Sequence, residues 1–334
     1  MLPHRISISS RLQPLSFEDR VALAIKAWHF FSPIKHAENL AVLGLPPTKG
    51  SMEPLSVLQF IQFLGKTGTV DDPFMLVSQI KDLLDAMERE GLITAVGTGP
   101  FVMAPQHYYS LKQLTTLEAK GWAWLTPALG PEYLYSYFGM YAVHIIGDKD
   151  ETEHGGTGWI LSERHVLTCA HVINGMTIRE EQHFGDVMCK IKRMHPHPTI
   201  DVGIIELAEA CLTAPRDIGF RDPNIGEPLY VMGYPPVPMA CEAPLILQGG
   251  EVVNQGIKGY RGDEVFLYSA IARPGNSGGP IIAKSGQVLG IVTEDRFNRD
   301  HPHALFFAGV STSTIAHALS ELDVDVKLSL ETYE

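Results

Sequence analysis

Pro274-Gly275-Asn276-Ser277-Gly278-Gly279-Pro280 is the stretch on which the reading of this chain turns. A serine among three glycines can be held on a tight backbone turn, because glycine adopts positive φ without steric penalty. On such a turn the amides of Gly275 and Ser277 can point at one place, where a carbonyl oxygen gains negative charge; each such donor contributes about 3 kcal/mol. Alone the pattern is weak, since small residues in a turn need no chemistry. Two upstream fragments add what it lacks: Thr168-Cys169-Ala170-His171 and Asp201-Val202-Gly203-Ile204-Ile205-Glu206-Leu207. Together the three supply His, Asp and Ser in chain order. Those are the residue types that acyl transfer uses as base, orienting carboxylate and hydroxyl nucleophile.

The surroundings of these fragments read as β-structure. From Tyr141 onward, short β-branched runs alternate with Gly, Pro, Asn or Asp: Ala142–Ile146, Gly158–Ser162, His165–Thr168, Val202–Leu207, Pro228–Gly233, Val265–Ser269, Pro280–Ala283, Val288–Thr293 and Phe306–Val310. That spacing predicts a sandwich or barrel, followed by a terminal helix over Ser311–Ser320. At this point the resemblance becomes specific. G-x-G-W-I-L…V-L-T-C-A-H-V, D-V-G-I-I-E-L and A-R-P-G-N-S-G-G-P-I resemble the trypsin/chymotrypsin-like serine peptidases, most closely the HtrA (Deg) type, over about residues 140–318. The resemblance implies an all-β, chymotrypsin-like double β-barrel. It implies His171 as general base, Asp201 as orienting carboxylate and Ser277 as nucleophile, with the Gly275 and Ser277 amides as oxyanion hole. It also implies a substrate pocket that includes Thr293 and has the apolar Ile271 at its base, where Arg or Lys at P1 would meet no carboxylate. The chain departs from the resemblance in two ways. The 57 residues after Ser277 do not accommodate the PDZ domains usual in HtrA proteins, and Val172 follows His171 where secreted trypsins have a half-cystine.

The first 135 residues read differently. Ser16-x-x-Asp19 ahead of the apolar spacing Val21, Leu23, Ala24, Ala27, Trp28, Phe31 predicts a capped helix of about 15 residues. A second is expected over Pro54–Leu64, and a third from Asp72-Pro73 to just before Gly91. Leu92–Val96, a Gly97–Pro100 turn and Phe101–Met103 read as a hairpin. Three helices and a hairpin resemble a winged-helix domain. Residues Ser110–Tyr137 again look helical and hold the expected junction, giving an accessory domain over 1–135 and a peptidase domain over 136–334. The aromatic run Trp122, Trp124, Tyr133, Tyr135, Tyr137, Phe138 is expected to pack there as core.

Composition narrows the function classes. Of the net charge of −12, −11 belongs to residues 136–334, and the third helix sets Lys81 and Arg89 against Asp82, Asp85, Glu88 and Glu90, which argues against a nucleic-acid partner. The N-terminal 20 residues lack a signal-type apolar core and no stretch is long enough to span a bilayer, so a cytoplasmic location without membrane association is expected. The four cysteines contain no C-x-x-C pair and read as free buried thiols, Cys169 as core filler. His195 and His197 could, with Asp201, suggest metal ligands, but Asp201 already has a role; no cofactor or metal is expected. The leading reading is a serine endopeptidase acting on protein or peptide substrates, with a regulatory protein or small-molecule signal received by residues 1–135. Its competitors are a DNA-binding regulator with a secondary peptidase module and a non-catalytic scaffold.

Overall fold

The computed structural model describes residues 5–6, 14–47, 53–97, 106–258, 264–293 and 306–332. They form two compact units, Met1–Leu114 with Leu125–Tyr133, and Thr115–Trp124 with Leu134–Glu334.

In the first unit, α1 (Phe17–Phe30) starts where expected, with the Ser16 hydroxyl accepting from the Asp19 amide. A short helix not foreseen from the sequence, α2 (His36–Leu43), ends on Gly44 in the left-handed conformation. The second expected helix begins three residues later than Pro54. Leu55–Ser56 is strand β1, and the capping box between Ser56 and Gln59 opens α3 (Val57–Lys66). Asp72-Pro73 opens a 3-10 turn (Pro73–Leu76) that leads into α4 (Val77–Arg89). Strands β2 (Thr94–Ala95) and β3 (His107–Tyr109) then complete a three-stranded sheet in the order β1-β3-β2. The partner of β2 is thus His107–Tyr109; the expected partner Phe101–Met103 lies outside the described residues. The core is aromatic, with Phe30 against Phe60 and Phe31 against Tyr108 at ring separations of 5.2 and 5.4 Å. The helical turn α5 (Thr126–Leu129) and the start of α6 (Pro131–Gly139) also belong here, with the Tyr133 ring beside Phe17.

The second unit holds β4 (Ala142–Lys149), β5 (Thr152–Ile160), β6 (His165–Thr168), the single-turn helix α7 (Ala170–Gly175), β7 (Thr177–Ile178), β8 (Glu181–Phe184), β9 (Val187–Pro196) and β10 (Gly203–Leu207). These strands make a seven-stranded sheet in the order β7-β4-β5-β6-β10-β9-β8. Its last strand reaches back to β4 through a side chain. The buried Gln182 amide on β8 accepts from the Ile146 amide and donates to the Ile146 carbonyl on β4, at 3.0 and 2.8 Å, and so curls the sheet toward closure. The remaining strands are β11 (Pro228–Gly233), β12 (Ile246–Lys258), β13 (Glu264–Tyr268), β14 (Pro280–Ala283), β15 (Val288–Val292) and β16 (Phe307–Ser311), followed by α8 (Thr312–Glu321). They close a six-stranded barrel, β11-β12-β13-β16-β15-β14.

Thr115–Trp124 joins this unit through Asp217. That carboxylate is 4% exposed and accepts from the Ala123 amide (2.9 Å) and the Tyr137 hydroxyl (2.7 Å). Phe138 stacks on Trp159 in the same core. Cys169 and Cys189 are buried, whereas Cys241 is exposed, against expectation; all four are free thiols. No described helix is long and apolar enough to cross a membrane.

Candidate active site

β6 ends at Thr168, Cys169 is the extended cap of α7, and His171 follows in the first turn of that helix. Asp201 sits on the loop joining β9 to β10. Buried His197 braces this loop: its Nδ1 accepts from the Thr199 and Ile200 amides (3.3 and 3.0 Å) and its Nε2 faces the Glu321 carboxylate at 2.9 Å. A ring that accepts at Nδ1 carries its proton at Nε2, so His197 donates to Glu321. His195, on β9, faces Glu206 instead at 3.4 Å. Each imidazole of this pair is thus served by its own carboxylate.

The braced loop brings Asp201 to His171 at two points. One carboxylate oxygen accepts from the His171 amide at 2.9 Å, and the other meets His171 Nδ1 at 2.7 Å. The Thr293 hydroxyl donates to that second oxygen at 2.5 Å. Burial pushes the Asp201 carboxyl up, but the bonds and charge of His171 and the Thr293 hydroxyl outweigh it and hold the group at about 2. The carboxylate fixes a proton on Nδ1, leaving the lone pair of neutral His171 on Nε2. Thr293, expected in the substrate pocket, is buried with its hydroxyl committed to Asp201.

Ser277 lies on the turn before β14. The Gly278 amide donates to the Val292 carbonyl (2.8 Å), and the Cys169 thiol donates to the same oxygen (3.1 Å). One carbonyl therefore ties the cap of the His171 helix to the Ser277 turn. This is how the thiol is used, in keeping with its reading as filler. Gly275 and Gly278 both have positive φ, +97° and +82°. A Cβ at Gly278 would stand 2.2 Å from both the Thr157 carbonyl oxygen and the Thr168 hydroxyl. Among the described residues, neither the Gly275 amide nor the Ser277 amide donates to a protein acceptor. Cys169, His171 and Asp201 also form the one group, among the described residues, close enough to share a metal ion. Ile271 is 45% exposed on the loop after β13. On the flank of Gly275 lies a cavity of about 430 Å³, whose lining includes His144, Glu153, Tyr234, Glu242 and Pro274.

Residues 156–291 match the family model of the trypsin-like peptidase domain. This region is a trypsin-like peptidase domain. Among similar proteins, serine protease Rv3671c of Mycobacterium tuberculosis is 31% identical over 147 residues, 41% of this chain and 35% of that protein. Uncharacterized protein y4bJ of Sinorhizobium fredii is 29% identical over 151 residues, 44% of this chain and 23% of that protein. The chain thus spans about a quarter to a third of the length of these curated relatives. The solved structure of Rv3671c protease from M. tuberculosis in its active form covers 58% of this chain and 86% of its own, at 21% identity and TM-score 0.46. HtrA-type protease AlgW with tripeptide covers 57% and 63%, at 18% identity and TM-score 0.46.

Two residues of the peptidase domain site carry roles that sequence reasoning missed. His197 was weighed only as a metal ligand. Thr157 was only the unspecified x of the G-x-G-W-I-L match, and its hydroxyl partners lie 77 and 118 residues away.

Proposed function

We propose that the chain is a serine endopeptidase working through an acyl-enzyme. The observation that carries the reading is the two-point hold of Asp201 on His171, which leaves Nε2 as acceptor, together with the Val292 carbonyl that ties the cap of the His171 helix to the Ser277 turn. Ser277 Oγ attacks the scissile carbonyl carbon while its proton passes to His171 Nε2. The oxygen that gains charge is met by the Gly275 and Ser277 amides. Collapse breaks the C–N bond, the leaving amine takes the proton from Nε2, and Ser277 holds the acyl group as an ester. Water repeats the sequence and frees the enzyme. Labelling with a fluorophosphonate tests this: wild type reacts and Ser277→Ala does not. A folded wild type that stays unlabelled overturns it.

Ile271 presents no charge to a substrate side chain, which supports small or medium aliphatic residues at P1, since a desolvated cation there would go unpaired. In a peptide library, cleavage after Val, Ala or Leu is expected to outpace cleavage after Arg or Lys by tenfold or more. Equal or faster cleavage after a basic residue contradicts the assignment.

The element order of the first unit, with β1 between α2 and α3 and the β2-β3 pair after α4, supports a winged-helix-like accessory domain that restrains or positions the peptidase in response to a protein or small-molecule signal. The fragment chosen to test this matters. One starting at Phe138 strips Ala123 and Tyr137 from Asp217 and so removes two hydrogen bonds to a carboxylate, a loss of about 3 kcal/mol. A fragment starting at Thr115 keeps both. The 115–334 fragment is therefore expected to melt higher than 138–334 and to hydrolyse an unstructured substrate faster than the full chain. Equal rates, with no added partner changing either, refute restraint.

A further inference from the structure

We propose that Thr157 is the positioning residue of the oxyanion site, its hydroxyl setting the peptide planes that aim the Gly275 and Ser277 amides. The proposal rests on the serine-peptidase reading and deepens it. Thr157 lies on β5 with no exposed surface, and each of its polar groups is used. Its amide donates to the Ser277 carbonyl at 2.9 Å, and its carbonyl accepts from the Thr168 hydroxyl at 2.7 Å. The hydroxyl donates to the Gly275 carbonyl at 2.6 Å and accepts from the Tyr234 amide at 3.0 Å. A strand residue needed for its backbone and bulk alone could be valine; here the hydroxyl joins the end of β11 to the nucleophile turn.

The consequence follows from peptide planarity. Thr157 holds the Gly275–Asn276 peptide through its carbonyl and the Ser277–Gly278 peptide likewise, so the Asn276–Ser277 peptide, source of the Ser277 amide, is bracketed on both sides. The other donor is the Gly275 amide, and glycine at φ +97° has no side chain to fix its own direction. The inward hold on the Gly275 carbonyl therefore supplies the restraint that the residue lacks. Packing supports the same reading: a Cβ at Gly233 would stand 2.8 Å from the Thr157 hydroxyl, one at Gly278 2.2 Å from its carbonyl oxygen, and one at Gly279 3.1 Å from its methyl. Three glycines thus close around this one residue, two of them around its side chain.

The test uses the full chain and a fluorophosphonate probe, measuring the saturating rate kinact and the half-saturation constant KI, with melting temperatures alongside. Thr157→Val keeps the shape and removes the hydroxyl; kinact is expected to fall about 10²-fold with KI unchanged. Thr157→Ser keeps the hydroxyl and is expected to react within threefold of wild type. The pH profile of kinact should keep its shape in both, because His171 and Asp201 are untouched. A Thr157→Val protein reacting within threefold of wild type overturns the proposal, as does Thr157→Ser reacting as slowly as Thr157→Val. If Thr157→Val fails to fold, a folded Thr157→Ser more than tenfold slow overturns it, and one within threefold supports it. An unlabelled wild type overturns the peptidase reading itself, which separates the two failures.

Discussion

Alanine at Ser277, at His171, or at both is expected to lower kcat/KM for peptide hydrolysis by nearly the same factor, 10⁴-fold or more. The equality is the informative part. Ser277 Oγ is a poor nucleophile unless its proton has somewhere to go, and His171 Nε2 has no proton to accept if the hydroxyl is gone, so the second deletion removes nothing that the first has left working. What survives is the contribution of the Gly275 and Ser277 amides and of substrate binding, which do not depend on either side chain. Steady-state rates for the three variants on one peptide decide the matter. A His171→Ala enzyme retaining a tenth of wild-type rate means that another group takes the proton.

The candidate site of this chain was legible because it resides in short local patterns whose neighbours are forced. Ser277 must lie among glycines, since a Cβ at Gly278 would strike fixed backbone and side-chain oxygens. Strands such as Ile204-Ile205, Pro280–Ala283 and Val288–Val292 are buried on both faces and read as unbroken apolar runs. Other elements lack that signal for equally physical reasons. β9, Val-Met-Cys-Lys-Ile-Lys-Arg-Met-His-Pro, carries three cations on exposed positions, and β12 contains Gly249, Gly250 and Gly256 among polar residues; neither looks like a strand in isolation. The hydroxyls of Thr157 and Thr293 were harder still. A buried threonine is ordinary in a strand, and only the folded chain shows that one bonds Gly275 and the other Asp201, 118 and 92 residues away. The aromatic run from Trp122 to Phe138 reads as one cluster in sequence, yet Tyr133 lies in one unit beside Phe17 and Phe138 in the other on Trp159, because the chain returns to the first unit over Leu125–Tyr133.

Asp201→Asn is expected to cost about 10⁴-fold in kcat while leaving the fold nearly intact, and the hydrogen bonds around Asp201 say why. The oxygen nearest the His171 backbone must remain an oxygen, since that N–H can only donate. The amide nitrogen of asparagine is therefore driven to the other position, where it faces His171 Nδ1 and the Thr293 hydroxyl. Thr293 can rotate its hydroxyl and accept. His171 can satisfy the new donor only by giving up the proton on Nδ1, which moves to Nε2, and an Nε2 that already holds a proton cannot take one from Ser277. Substrate binding does not use this contact, so KM should change little. Stability adds a second signature. With the wild-type carboxyl held at about 2, below its ordinary value near 3.9, its contribution is fully present above the ordinary value and is lost as pH falls through about 2. The stability gap between wild type and Asp201→Asn should stay level from pH 8 to about pH 5 and narrow below pH 4. A gap that closes between pH 7 and 5, or an Asn enzyme within tenfold of wild-type kcat, shows that Asp201 is not the group that sets the His171 tautomer.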